Sequence, residues 1–348
     1  MKFRRHWRRW LLGLSLVGLS AWSLQRQVQA LWWQPASHKP FAEFAEALPP
    51  LDWQQALQSP GFDSYLTFYG LDFPQTQHHA GSLETPQGQI FVQMHKPLGP
   101  LPARGTVLAM HGYFVHGGLM NHLAAALLEG GYAVVLADLP GHGLSAGPRA
   151  DITDFSDYAR VVSHLSSELV QHVPGPLFLL GHSTGGAGVW EYLLREPQHP
   201  YQRAVLAAPL VRSWLWDLSA TGFYLGQGWL KDLPRMLRED TSDPALLAAI
   251  RRDPLQHSLA PLSWVKALMH WNEHVIEDYA PVQTPLLILQ GTADTVVEWQ
   301  YNLPFLQRKF PQAQVQILED ARHDLFWETP LWRERIFKEI LDYLAAES

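Results

Sequence analysis

The pentapeptide Gly181-His182-Ser183-Thr184-Gly185 follows a short apolar run, Pro176–Leu180, and leads into a helix-like stretch, Gly186–Arg195. A strand that turns sharply into a helix is the setting in which G-x-S-x-G becomes a nucleophile elbow. The serine at such a tip takes strained backbone angles, and the chain on either side must approach closely. Only small residues then fit two positions away, a need that Gly181 and Gly185 meet. A chain organised around this turn is expected to carry its strands in parallel, with helices packed on both faces.

The rest of the sequence has the matching rhythm. Strand-like runs occur at Gln89–His95, Thr106–Met110, Ala133–Ala137, Ala204–Ala208, Leu286–Leu289 and Gln314–Leu318. Gln89–His95 alternates apolar and polar residues, as a half-exposed strand would. Helix-like runs separate the strands: Leu119–Glu129, a long one capped by Thr153 or Asp154 and ending near His172, one near Glu298–Phe310 and a closing one at Leu331–Leu344. Alternating β and α units predict an α/β fold with a mostly parallel sheet. Upstream, Asp52–Gln58 reads as a short helix and Phe62–Leu71 as an amphipathic piece.

Pro209–Pro281 breaks the rhythm. It has no strand-like run, and Pro234, Pro244, Pro254 and Pro261 divide its helical spacings. It is expected to be a helical cap. Five of the chain's 15 Trp fall there, Trp214, Trp216, Trp229, Trp264 and Trp271. They suit either a core filling or an apolar surface for lipid. The expected organisation is a leader at 1–30, an N-terminal extension at 31–84, a core at 85–208 and 282–348, and the cap at 209–281.

A serine hydroxyl needs a base to take its proton, and the base needs a group that fixes its tautomer. In this topology both come from loops after later strands, in the order Ser, Asp or Glu, His. Asp294 follows Leu286–Leu289 through Gln290-Gly291-Thr292-Ala293, and His323 follows Gln314–Leu318. Asp294 is therefore the candidate acid and His323 the base. Asp320 and Asp324 are rivals, but lie too near His323 in sequence to come from the preceding strand's loop. An oxyanion requires N–H donors. The residue after the nucleophile, Thr184, supplies one. The loop after Thr106–Met110 begins His111-Gly112, and Tyr113 is the candidate for the other.

Composition excludes several alternatives. The chain has no cysteine, which rules out disulfides, thiol catalysis and Cys-type zinc sites. His78-His79 and His111, His116 and His122 have no H-E-x-x-H spacing or facing carboxylate, so no metal is expected. No nucleotide-binding motif is present and no cofactor is expected. The net charge is −7 although residues 1–30 hold six basic residues and no acid, so the body is acidic. That argues against a nucleic-acid partner. Basic residues followed by the uncharged, mostly apolar run Trp10–Leu24 read as a signal peptide or a membrane anchor, with Val28-Gln29-Ala30 as a cleavage site. Either places the body outside the cytoplasm, in or beyond the cell envelope, with membrane contact through this segment.

Over residues 85–346 the chain resembles the serine α/β-hydrolase superfamily. Within it, the group of monoacylglycerol lipases and bacterial lysophospholipases, also called serine aminopeptidases, is the most similar. The resemblance rests on His111-Gly112, the stretch Asp138–Arg149 with its G-H-G-x-S-x-G-x-R pattern, the elbow with Gly186, Gly291-Thr292-Ala293-Asp294 and His323. It implies a Ser183–His323–Asp294 triad, an oxyanion hole from the Tyr113 and Thr184 N–H groups, and a cap. The family usually has a smaller residue than Tyr113 after His-Gly. The implied activity is hydrolysis of a lipid monoester. A small-ester esterase, an aminopeptidase of the same fold and a non-enzymatic envelope lipid-binding protein remain as alternatives.

Overall fold

Runs of apolar residues form a sheet whose two faces are both covered. The structure, a computed structural model, describes residues 40–99, 103–226, 231–235 and 240–346. Eight strands make the main sheet: β1 (Thr76–Thr85), β2 (Gly88–Pro97), β3 (Thr106–Met110), β4 (Ala133–Ala137), β5 (Leu177–His182), β6 (Tyr201–Ala207), β9 (Leu286–Gly291) and β10 (Gln314–Leu318), with β7 and β8 set apart below. Their order is β1-β2-β4-β3-β5-β6-β9-β10. β1 pairs antiparallel with β2, and β2 with β4, and every later pairing is parallel. β3, β4, β5 and β9 are buried along their whole length. Continuous apolar runs are what a parallel sheet covered by helices on both sides demands.

Each face has its own core. On one side lie α1 (Ala42–Glu46), α2 (Pro60–Tyr69), α3 (Asn121–Glu129) and the closing helix α10 (Pro330–Ala345), against residues such as Val107, Leu136, Leu180 and Leu289. On the other lie α4 (Asp157–His172), α5 (Ser183–Arg195) and α9 (Trp299–Lys309), against Leu108, Val135, Leu179 and Ile288. Neighbouring positions on one strand serve opposite cores, as the two-residue period of a strand requires.

The N-terminal region differs from expectation. The sheet starts at Thr76, so residues 76–84 are part of it rather than of an extension. Asp52–Gln58 is not helical. The Asp52 carboxylate accepts from the N–H groups of Gln54 and Gln55 and forms a turn instead. β2 is not half-exposed either. Phe44, Phe62 and Tyr65 cover it, and its polar residues Gln93 and His95 are buried in a hydrogen-bonded chain. His95 Nε2 lies 3.2 Å from Gln93 Oε1, and Gln93 Nε2 donates to Tyr65 Oη at 3.2 Å. Burial of polar side chains is tolerated where they bond to one another.

Between β6 and β9 the chain forms α6 (Trp216–Gly226), β7 (Asp232–Pro234), α7 (Pro244–Arg252), β8 (Leu259–Pro261) and α8 (Leu262–His274). β7 and β8 pair as a short antiparallel ribbon, so the region is not purely helical. Its Trp216, Trp264 and Trp271 are buried in the core of the nucleophile-helix face, and Trp214 is half-buried. Core filling thus accounts for these three, while Trp229 lies outside the described residues. A carboxylate on α5 holds the region down. Glu191 is fully buried and accepts from Trp271 Nε1 (2.8 Å), Tyr279 Oη (2.8 Å) and Ser156 Oγ (2.6 Å).

Candidate active site

The elbow is strained in the way its sequence implies. Ser183 opens α5 with φ +51°, in the left-handed region that a residue with a side chain avoids. A Cβ on Gly181 would come within 2.7 Å of Gly186 Cα, and one on Gly185 within 2.3 Å of the His111 carbonyl. The two glycines are therefore steric necessities.

Ser183 Oγ lies 3.0 Å from His323 Nε2, and His323 Nδ1 lies 2.8 Å from Asp294 Oδ2. All three residues are buried. The loop after β9 presents Asp294. Its Oδ1 accepts from the N–H groups of Val296 and Val297, and its Oδ2 also accepts from Gln290 Nε2. With Nδ1–H donating to Asp294, Nε2 is left to accept the serine proton. Burial alone would push the His323 imidazole down, but the charge and hydrogen bond of Asp294, with Asp324 and Asp240 nearby, hold it above its ordinary value. Burial likewise pushes Asp294 up, and His323 with the two N–H groups more than reverses this.

The rival acids stand elsewhere. Asp320 is an exposed turn residue with φ +64°. Asp324 Oδ1 is 3.9 Å from His182 Nε2, and burial pushes its carboxyl up to about 7. His182 donates to the His323 carbonyl at 3.1 Å, and burial brings its imidazole down to about 3. Among the described residues, His182, His323 and Asp324 bring side-chain ligand atoms within 4.8 Å of one another. Both ring nitrogens of His323 are already engaged, so a metal bound there would displace Ser183.

Tyr113 and Thr184 flank the nucleophile. Thr184 is in the first turn of α5, and Tyr113 follows Gly112, where a Cβ would lie 3.2 Å from Ser183 Cβ. His111 shapes this loop: its Nδ1 donates to the Gly112 carbonyl at 2.7 Å, and its Nε2 accepts from Leu139 N at 2.8 Å. Tyr113 Oη donates to the Ala150 carbonyl at 2.6 Å. The Asp138–Arg149 motif braces the same region. The buried Asp138 carboxylate accepts from the N–H groups of Gly117 (2.7 Å) and Leu144 (2.8 Å), and Gly143, at φ +49°, leaves no room for a Cβ against it.

The structure adds residues that sequence reasoning missed. Buried Glu328 joins the His323 loop to the cap: Oε1 accepts from Arg322 N at 2.8 Å and Oε2 from Ser242 N at 3.0 Å. Buried Asp253, at the end of α7, bonds to His116. A cavity of about 540 Å³ opens on Ser183 and His323, with Leu210, Leu246, Ile250 and Trp264 among its apolar walls and Arg235, Asp240 and Asp324 at its polar part. A second, apolar cavity of about 380 Å³ lies between α6 and α8 and shares Ser213, Leu233 and Trp264 with the first.

An elbow serine at the C-terminal edge of a mostly parallel sheet, with Asp294 and His323 following in that order and joined to it by hydrogen bonds, defines a protein of the α/β-hydrolase fold. Residues 102–330 match the family described as "Serine aminopeptidase, S33", and the chain belongs to that family. It is a carboxylic ester hydrolase. It is 30% identical over 207 residues to a monoacylglycerol lipase of Mycolicibacterium smegmatis, covering 56% of this chain and 71% of that protein. It is 29% identical over 263 residues to the human monoglyceride lipase, covering 72% of this chain and 85% of that protein. The structure of a soluble variant of monoglyceride lipase from Saccharomyces cerevisiae superposes with a TM-score of 0.65 at 20% identity, covering 76% of this chain and 94% of that one.

Proposed function

We propose that the enzyme hydrolyses lipid monoesters, monoacylglycerols or lysophospholipids, with Ser183 as nucleophile, His323 as base and Asp294 as its orienting acid. The observation that carries the reading is the continuous relay from Ser183 Oγ through His323 to Asp294, opening on a mostly apolar cavity with an apolar annex. Ser183 Oγ attacks the ester carbonyl as its proton passes to His323 Nε2. The Tyr113 and Thr184 N–H groups receive the oxyanion. His323 then returns the proton to the leaving alcohol, and water deacylates Ser183 through the same base. Single acyl chains suit a site of one main chamber and one annex, and monoglyceride lipases stand among the relatives.

The test is a panel of purified-enzyme assays on monoacylglycerols, lysophospholipids, diacylglycerols, short soluble esters and aminoacyl amides. A fluorophosphonate probe should label Ser183. Ser183→Ala should lower turnover by about 10⁴ or more with the fold retained. Preference for aminoacyl amides, or labelling at another residue, overturns the reading. We further propose that residues 1–30, outside the described residues, carry the catalytic body across a membrane. A reporter active only outside the cytoplasm, fused after residue 40, checks this, and silence refutes it. Among the described residues no helix is long and apolar enough to cross a membrane.

A further inference from the structure

One buried carboxylate collects three separate parts of the chain. Asp253 is 1% exposed and ends the cap helix α7. It accepts from Tyr69 Oη at 2.7 Å, from His116 Nε2 at 2.8 Å, from Gln256 Nε2 at 2.9 Å and from Leu255 N at 2.9 Å. Tyr69 belongs to α2, which precedes the family-matched segment. His116 belongs to the loop that carries Tyr113. Gly118 N donates to His116 Nδ1 at 3.1 Å, so the proton of the ring sits on Nε2 and points at Asp253. The packing is tight as well: a Cβ on Gly118 would come within 2.9 Å of both Tyr65 Oη and Tyr69 Cγ.

The loop between His111 and His116 needs such an anchor. Phe114, directly after Tyr113, has φ +63°, in the left-handed region that strains a residue with a side chain. A strained residue stays strained only when its surroundings hold it. Upstream, His111 bonds Gly112 and Leu139. Downstream, His116 is fastened to Asp253, and Gly117 N to Asp138. The orientation of the Tyr113 N–H therefore depends on both ends.

We infer that Asp253 is a positioning residue for the oxyanion loop, acting through His116, and that Tyr69 makes α2 part of the same device. The inference rests on the function proposed above, in which Tyr113 N–H receives the oxyanion. A misplacement of about 1 Å in such a donor costs about 10²-fold in rate. The damage falls on the transition state, because the ground-state ester makes little use of the donor.

The experiment measures kcat and KM on a short soluble ester for Asp253→Asn, Tyr69→Phe, His116→Leu and His116→Gln. It adds the affinity for an alkyl boronic acid, which forms a tetrahedral adduct, and for the matching alcohol, which has no oxyanion. Asp253→Asn and His116→Leu should lower kcat about 10- to 100-fold with KM little changed. They should weaken the boronic acid by a similar factor and leave the alcohol unaffected. Tyr69→Phe keeps three of the four bonds, should fold even if Asp253→Asn does not, and should lower kcat about three- to tenfold. His116→Gln, whose amide replaces the Nε2 donor, should recover most of the loss of His116→Leu. Unchanged kcat in folded Asp253→Asn and Tyr69→Phe, or equal losses for boronic acid and alcohol, overturn this inference alone. Activity retained by Ser183→Ala overturns the nucleophile and the proposed function beneath it.

Discussion

Tyr113 lies flat against Trp264, with ring centroids 4.0 Å apart and planes inclined by 21°. The ring of the residue proposed to supply an oxyanion donor is thereby seated on the cap helix α8. Trp264 also donates through Nε1 to Tyr158 Oη at 3.0 Å, so it bridges the cap, the loop and α4.

Trp264→Phe should keep the stacking and lose only that hydrogen bond, with kcat/KM within a few-fold of wild type. Trp264→Ala should cost about 3–5 kcal/mol of stability and at least about tenfold in kcat/KM. Urea denaturation and steady-state kinetics on the two variants check this. A Phe variant as impaired as the Ala variant would show that the stacking does not matter.

Asp294→Asn should lower turnover by about 10³–10⁴, because an amide favours the wrong imidazole tautomer. Asp324→Asn should cost far less, since Asp324 faces His182 rather than His323 Nδ1. The pH profile separates them further. His323 must be neutral to accept a proton, and Asp294 holds its imidazole above the ordinary value of about 6.5, so activity should rise with pH through an inflection above that value. The residual activity of Asp294→Asn should show that inflection at lower pH. An inflection that does not move with Asp294 would detach it from His323.

Gly222→Leu tests the annex under the cap. Gly222 lines the smaller cavity, and a Cβ there meets no atom within 4 Å. A helical Gly→Leu change should raise helix stability by up to about 1 kcal/mol, so lost activity would not reflect unfolding. Long-chain monoesters should lose more kcat/KM than short soluble esters. Equal losses across chain lengths would remove the annex from acyl binding.

Acid should weaken the fold well above the ordinary carboxylate range of about 4. His95, His142 and His182 are buried, and burial lowers each imidazole to about 3. They stay neutral in the folded protein while the unfolded chain takes up protons below about pH 6.5. Each therefore removes about 1.4 kcal/mol of stability per pH unit as pH falls from about 6.5 toward 3. His323 and His116, held up by Asp294 and Asp253, gain their stability as pH falls toward about 6.5 and are protonated in both states below it, so their contribution is constant in this window. Asp324, whose carboxyl is raised, opposes the loss there, and the three imidazoles outweigh it. The urea midpoint should fall steeply between pH 6.5 and 4, and a flat midpoint there would contradict the assignment.

What was legible in the sequence followed from local pattern. β3 and β4 fall where their apolar runs do, as strands buried on both faces, and β10, a partly exposed edge strand, falls at the Gln314–Leu318 run. The order of Ser183, Asp294 and His323, each just beyond a strand, was enough to bring them together. β1 was not legible. Thr76–Thr85 has little apolar character, and becomes a strand because it pairs in unbroken register with β2, from Thr76 opposite Pro97 to Thr85 opposite Gly88. Asp253 was hidden for a similar reason, with His116 and Tyr69 lying 137 and 184 positions away. Glu191 did leave a signal: it is the one charged residue in Ser183–Leu194, otherwise small or apolar.

That glutamate bears on how far the cap is exchangeable. Insertions between two core strands invite transplantation from one relative to another, on the assumption that a loop travels with its own contacts. Here the nucleophile helix brings a buried carboxylate that takes two of its three hydrogen bonds from the insertion. A grafted cap without counterparts of Trp271 and Tyr279 would leave Glu191 with Ser156 Oγ and, at 3.5 Å, Arg195, and would lose two buried hydrogen bonds at about 1.5–3 kcal/mol each. The cap and the helix behind the nucleophile are in that sense one inheritance, and recombination between family members should succeed only where the crossover carries both.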